Sequence, residues 1–186
     1  MTLGPQFADV LCAAQRGEDR GFLALYRDLN PPLLRYLATQ DRRSAEDVAS
    51  ETWLAAARGM GSFSGPEEAF RAWIFTIARR RMIEHWRQNS RRPHESAVAE
   101  LPGWLPAPDD PEATGIAAIA AKDAAAMISA LLPPDQAEVV LLRILAGLDV
   151  TRVAEILGKR PGNVRVLQHK ALRRLAEKLN YELLTR

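Results

Sequence analysis

Paired carboxylates are the first residues in this sequence that could do chemistry, and two pairs merit weighing, Asp47 with Glu51 and Asp109 with Asp110. Such pairs serve metal-assisted or acid–base reactions only when a rigid frame holds them around a substrate. Asp47 and Glu51 sit early in a helical stretch, where negative charge suits the helix dipole or a surface contact. Asp109 and Asp110 fall in a proline-rich segment with nothing rigid around them. The expectation is therefore not an enzyme. His85, His94 and His169 lack the spacing of a metal-binding pair, and Cys12 is the only cysteine. No metal, cofactor or intramolecular disulfide is expected, a reducing compartment is implied, and Cys12 reads as a small buried helix residue.

Positive charge is organised where the carboxylates are not. Between Lys159 and Lys178 there are seven Lys or Arg and one acid, Glu177. At about 100° per residue, Val164, Ala171 and Leu175 share one side of a helix, while Val166, His169, Lys170 and Arg173 share the other. A helix of this width fits the major groove of DNA. Its basic face would neutralise phosphates, with Arg160 and Arg173 flanking the N-terminal residues Asn163 and Arg165, which could reach base edges.

The elements that must position this helix are legible just ahead of it. Asp149 can cap a short helix that buries Val153, Ile156 and Leu157, and Gly158 can end it in the left-handed conformation. Pro161 can start the next helix, so Ala154, Gly158 and Val164 make one tight corner, the form of a helix-turn-helix.

The rest of the chain reads as helix too. Helices over 7–40 break at Gly17 and at Asn30-Pro31-Pro32, with Phe22, Leu25, Tyr26 and Leu29 as a core stripe. Ser44, Glu46 and Asp47 open another that runs to about Arg58. Ser64 to Glu67 has the form of a capping box ahead of a long helix from Glu67 to about Asn89, striped by Phe70, Trp73, Ile74 and Ile77. Its arginine-rich end could reach a polyanion. Pro93 to Pro111 holds five prolines, four acids and Trp104, the composition of a linker. Helices at Ile116–Leu132 and about Asp135–Ala146, the latter with Val139, Val140, Leu142 and Ile144, complete a second unit with the helix-turn-helix.

No strand-period alternation of any length occurs, so the fold class is all-α: a helical domain at 1–92, a Pro-rich acidic linker at 93–115 and a helix-turn-helix domain at 116–186. The hydrophobic content of 47% suffices for packed cores. The net charge of +2 conceals two basic patches flanking an acidic strip. With no signal-like N-terminus and no apolar run long enough to span a bilayer, a cytoplasmic protein is expected.

The order FLALYRDLNPPLLRYL, AEDVASETWLAA, FRAWIFTIARRRMIEHWRQ, a linker, LPPDQAEVVLLRILAGLDV and a helix-turn-helix resembles bacterial extracytoplasmic-function (ECF) sigma factors of the sigma-70 family, over nearly the whole chain. The resemblance implies a subunit that binds core RNA polymerase and directs it to promoter DNA, with an anti-sigma factor as a further possible partner. It places Asp47, Glu51 and Trp53 on the core-polymerase contact. Phe63 to Glu68 becomes a loop beside unpaired −10 bases, with Arg71, Arg79 and Arg80 along the DNA, and the helix-turn-helix reads the −35 element. A base out of its stack needs a π face, which Phe63 could supply. Arg80 stands where the family commonly has asparagine, and Leu167 and Gln168 where it commonly has arginine and leucine, so a promoter sequence does not follow. Gln168, close in angle to Val164, is expected to be partly buried. The competing reading is a stand-alone helix-turn-helix regulator that acts on duplex operators without polymerase.

Overall fold

The computed structural model describes residues 3–91 and 124–184. The linker expected at 93–115, with His94, Trp104, Asp109 and Asp110, and the start of the helix expected from Ile116 lie outside the described residues. A 3-10 turn, Gly4–Gln6, leads into α1 (Phe7–Gln15), α2 (Asp19–Gln40) and α3 (Ala45–Gly59). A second 3-10 turn, Met60–Ser62, precedes α4 (Glu67–Arg91). The second half holds α5 (124–131), α6 (Pro134–Leu145), α7 (Val150–Leu157) and α8 (Pro161–Leu184). No strand occurs among the described residues, and no helix there is long and apolar enough to cross a membrane.

In the first half α2 is the central element. Leu25, Leu29, Leu33, Tyr36 and Leu37 are buried along it, against Val48, Trp53 and Ala56 of α3 and Phe70, Ile74, Phe75 and Ala78 of α4. Each such large side chain contributes roughly 1.5–3 kcal/mol by leaving water. The expected break at Asn30-Pro31-Pro32 does not occur: both prolines lie inside α2. They cannot donate to the carbonyls one turn back, so packing must hold the helix across the gap. Leu29, Pro32 and Leu33 are buried there, and Asn30 ties α2 to α3 by accepting from Trp53 Nε1 at 3.0 Å while its Nδ2 donates to the Tyr26 hydroxyl.

Gly17, at φ +79°, separates α1 from α2 as the sequence implies. A signal not read from the sequence lies four residues on. A Cβ on Gly21 would come within 2.3 Å of Ala14 N and 2.7 Å of Val10 O, so only glycine lets the two helix backbones meet this closely. Cys12, expected inside, is exposed on the far side of α1, because Phe7, Leu11 and Ala13 form the buried face.

The capping box expected from Ser64 to Glu67 is replaced by longer-range bonds. The Glu67 carboxylate accepts from the backbone N–H groups of Leu3 (3.1 Å) and Gly4 (2.8 Å) and from Arg71. Ser44 likewise turns from capping α3 and donates to Asp41 Oδ2 at 2.7 Å, a bond that holds the Asp41 carboxyl below its usual range. The buried face of α4 extends a turn past Ala78 to Met82, which packs under Ser44, while Trp73 and Ile77 of the expected stripe are only half-buried.

In the second half Val139, Val140, Leu141 and Leu142 of α6 are buried with Leu148, Val153, Ala154, Ile156, Leu157, Val164 and Ala171. Ile144, expected in this core, is 61% exposed in the last turn of α6, although it shares a side of the helix with the buried Val140 and Leu141.

Candidate nucleic-acid interface

The corner between α7 and α8 is built by three local devices. Asp149 caps α7 by accepting from Arg152 N at 2.7 Å, which satisfies one of the orphan donors at the helix start. Gly158 ends α7 at φ 62°, ψ 32°, donating to Ala154 and Glu155 carbonyls, and Lys159 N bonds Ala154 O at 2.9 Å. Pro161 opens α8, where its missing N–H costs nothing. Ala154 and Val164 are both buried at the crossing.

This arrangement turns one face of α8 outward. Arg160, Asn163, Arg165, Val166, His169, Lys170 and Arg173 are all exposed, whereas Leu167 and Gln168 are half-buried. Two of the seven cations are already engaged: Lys159 with Asp135 at 3.0 Å and Arg173 with Glu177 at 2.9 Å. Arg160, Arg165, Lys170 and Arg174 form no ion pair among the described residues, which leaves them able to meet phosphates. Val166, 53% exposed between them, offers an apolar surface of the kind that meets a thymine methyl.

The loop over 59–66 and α4 make a second surface, and here the structure departs from several expectations. Phe63 does not present a free ring. It packs edge-on to Phe70 at 5.2 Å and tilted against Trp73 at 5.2 Å, and a Cβ on Gly65 would lie 3.4 Å from it. Gln15 of α1 donates from Nε2 to the carbonyls of Met60 (3.1 Å) and Phe63 (2.8 Å). Arg71, expected along DNA, is buried: its Nη2 donates to Asp28 at 2.5 Å and to Glu67 at 2.9 Å. Burial lifts the Asp28 carboxyl above its usual range, against the opposing pull of Arg71. Arg80 is exposed.

Arg79 is held by the other half of the chain. Its Nε donates to Glu138 of α6 at 2.8 Å, and the same oxygen accepts the buried Tyr36 hydroxyl at 3.1 Å. Burial works against the Arg79 charge, but the hydrogen bond and charge of Glu138 outweigh it and raise the guanidinium above its ordinary value. Burial, and then Glu138, push the Tyr36 phenol well up. Glu138 had no signal in the sequence, since its partners lie 59 and 102 positions away.

A third surface lies on α3. Asp47 and Glu51 are exposed, but Trp53, expected beside them as a contact, is buried with Phe22 and Tyr26 at 5.7 and 5.1 Å and donates to Asn30. Its rotation on the helix, about 200° from Glu51, carries it into the core. Leu54 takes the outward place, 56% exposed, seven residues from Asp47 and three from Glu51. It borders a groove of ≈ 260 Å³ between α3 and α4, lined also by Arg58, Arg81, Glu84 and His85. No cluster of potential metal ligands occurs among the described residues.

Comparison with known proteins matches both halves. The family model of sigma-70 region 2 covers residues 25–92, and that of sigma-70 region 4 covers residues 123–175. The ECF RNA polymerase sigma factor BldN of Streptomyces coelicolor is 35% identical over 89% of this chain, which spans 63% of that protein's length. ShbA of Streptomyces griseus, also an ECF RNA polymerase sigma factor, is 32% identical over 87% of this chain and 89% of its own. Among solved structures, CnrH in complex with the cytosolic domain of CnrY shares the fold at TM-score 0.60 and 20% identity, covering 92% of this chain and 96% of that one. The sigma factor RpoE of Bartonella quintana, solved with the anti-sigma factor NepR, gives TM-score 0.57 at 24% identity over 86% and 96%. Two region models on its two helical halves, and a relative 32% identical along most of its own length, show that the chain belongs to the ECF RNA polymerase sigma factors.

Proposed function

We propose that this sigma factor directs core RNA polymerase to promoters through two DNA-reading surfaces carried by a domain at 1–92 and a domain at 116–186, joined by the linker between them. The observation that carries the reading is the outward face of α8, where Arg160, Asn163, Arg165, Val166, His169, Lys170 and Arg173 are exposed together on a helix fixed by a buried corner. Phosphate contacts from the cations would set its register in the −35 major groove, and Asn163, Arg165 and Val166 would read base edges. At the −10 element residues 63–68, the end of the loop and the start of α4, and the exposed Arg80 would meet unpaired DNA, and trapping unstacked bases would help hold the duplex open. Asp47 and Glu51, with Leu54 between them and the α3–α4 groove, form the surface offered to core polymerase. Work of this kind is done by binding free energy and not by a catalytic site, and it takes place in the cytoplasm with the polymerase. An anti-sigma factor, of the kind seen with the Bartonella RpoE, would act by covering these surfaces.

Transcription from a pool of genomic fragments by purified bacterial core polymerase, with and without the protein, tests the proposal. New RNA starts sharing two upstream elements are expected; no new starts, with the protein alone shifting duplex DNA, would favour a stand-alone regulator. Reversing both charges at Asp47 and Glu51 should lower core affinity in a pull-down, because the same polymerase surface would then meet like charge. Core affinity equal to that of the unchanged protein would mark this face as merely solvated.

Arg79 can serve DNA only after leaving Glu138. Glu138→Gln keeps the shape of the side chain and removes its charge, so the half-buried pair at 2.8 Å loses its coulombic part. Fluorescence anisotropy with a single-stranded −10 oligonucleotide should show about two- to tenfold tighter binding for this variant, from an ion pair of ~1 kcal/mol. Unchanged binding would mean that Arg79 does not limit access to DNA.

A further inference from the structure

Gln15 closes α1 and lies ahead of the span covered by the region 2 family model, which begins at residue 25. Its side chain nevertheless reaches the loop between α3 and α4, donating from one nitrogen to Met60 O at 3.1 Å and Phe63 O at 2.8 Å. Both partners are carbonyl acceptors, so the amide can face them only with its NH2 group; turned over, it would oppose oxygen to oxygen. The two carbonyls bracket the 3-10 turn, across which Phe63 N also donates to Met60 O at 3.1 Å. One side chain thus grips both ends of the turn.

The gripping residue is itself held on three sides. Gly21 lets α1 lie backbone to backbone on α2, so α1 cannot slide along it. The Phe7 ring packs against Phe70 at 5.7 Å, on the helix that follows the loop. Glu67, at the first residue of that helix, accepts from Leu3 N and Gly4 N. The N-terminal segment is therefore fastened to α4 just after the loop by Glu67 and Phe70, and to the loop's beginning by Gln15. Phe63, whose carbonyl Gln15 holds, is the hinge between them, its ring seated on Phe70 and Trp73.

We infer that Gln15 is a positioning residue for base selection at the −10 element: it fixes the path by which residues 63–68 meet an unpaired base. The inference rests on the reading of that loop as the −10 contact. Without the two bonds the Met60 and Phe63 carbonyls turn to water and the loop samples several paths, so preferred and substituted bases are held more nearly alike. Affinity for core polymerase, which the α3 face serves, is unaffected.

The test uses holoenzyme assembled from the full chain and transcribing a promoter library randomised over the −10 element. Gln15→Leu removes both donors at similar volume; Gln15→Glu keeps the shape and sets a carboxylate against the two carbonyls, which supplies a second variant should the first fold poorly. A control changes two exposed residues together, Ser64→Ala in the loop and Glu68→Ala in the first turn of α4. The ratio of use between the best and second-best base at the loop-facing position should fall about threefold to tenfold for each Gln15 variant, the scale set by losing two neutral hydrogen bonds. The −35 preference and core affinity should stay near those of the unchanged protein, and melting temperature should fall by only a few degrees. A control that alters −10 preference beside Gln15 variants that do not overturns the inference alone. No change in −10 preference from either the control or the Gln15 variants overturns the reading of the loop and the inference with it. Gln15 variants that lower melting temperature and scale down all promoters equally would give the residue a structural role only.

Discussion

Replacing Arg71 with alanine is expected to lower the free energy of unfolding by about 3–5 kcal/mol, the cost of leaving a buried charge without its partner. Arg71 and Asp28 are 9% and 7% exposed, and Glu67 is 17% exposed. Removing the guanidinium leaves two carboxylates facing each other in a region of low dielectric, where repulsion and lost solvation add. Against a total stability of about 5–15 kcal/mol for a domain of ordinary size, such a loss is large enough to read directly in urea unfolding. A residue that served only DNA would behave oppositely: its removal would leave unfolding unchanged and weaken promoter binding alone.

The pH dependence separates the two accounts further. Burial raises the Asp28 carboxyl in the folded protein and Arg71 opposes that rise, so losing Arg71 raises it more. Between the unfolded and folded values the folded state binds the extra proton, and stability therefore increases as pH falls. The deficit of Arg71→Ala should be greatest at neutral pH and shrink on acidification, as Asp28 takes up a proton and no longer needs a cation. Asp28→Asn added to Arg71→Ala should recover part of the loss at neutral pH. A deficit independent of pH would mean that packing of the arginine stem, not its charge, is what α2 and α4 require.

Arg71 also shows where a sequence stops being readable. Glu67 lies four residues before it, so a pair on one helix face could be foreseen, but Asp28 is 43 positions away and only the packing of α2 on α4 brings it in. The same division runs through the molecule. Asp149, Gly158 and Pro161 act within one turn of their own position, so the α7–α8 corner and the outward face of α8 could be drawn from residue types alone. Trp53 and Phe63 carry surface chemistry in principle, yet both are aromatic, and nearby rings with room beside them drew both inward. Pro31 and Pro32 should have ended a helix by local rules; the bonds of Asn30 and the burial of Leu29 and Leu33 override them. Glu138 and Gln15 are polar residues of no pattern whose roles exist only once distant carbonyls, a phenol and a guanidinium converge on them.

Arg165 and Lys170 are expected to be the residues on which promoter-directed transcription depends most. Both are exposed on the outer face of α8, and neither is tied to an acid among the described residues, unlike Lys159 and Arg173. Replacing both with alanine should lower transcription from −35-dependent promoters by about 10- to 100-fold, one base-reading arginine and one phosphate contact being together worth roughly 1–3 kcal/mol or more. Their separate effects should differ in kind. Lys170→Ala, losing a phosphate contact, should weaken all promoters alike and reduce the slope of log affinity against log salt by about 0.9. Arg165→Ala, one turn nearer the start of the helix where base edges come within reach, should relax preference at one −35 position. Core affinity should not change in either case, because the α3 face proposed to meet core polymerase is untouched. Footprints of the variant holoenzymes over a salt series decide the matter: unaltered −35 protection in the double variant would remove the outer face of α8 from promoter recognition, whatever the fate of the −10 surface.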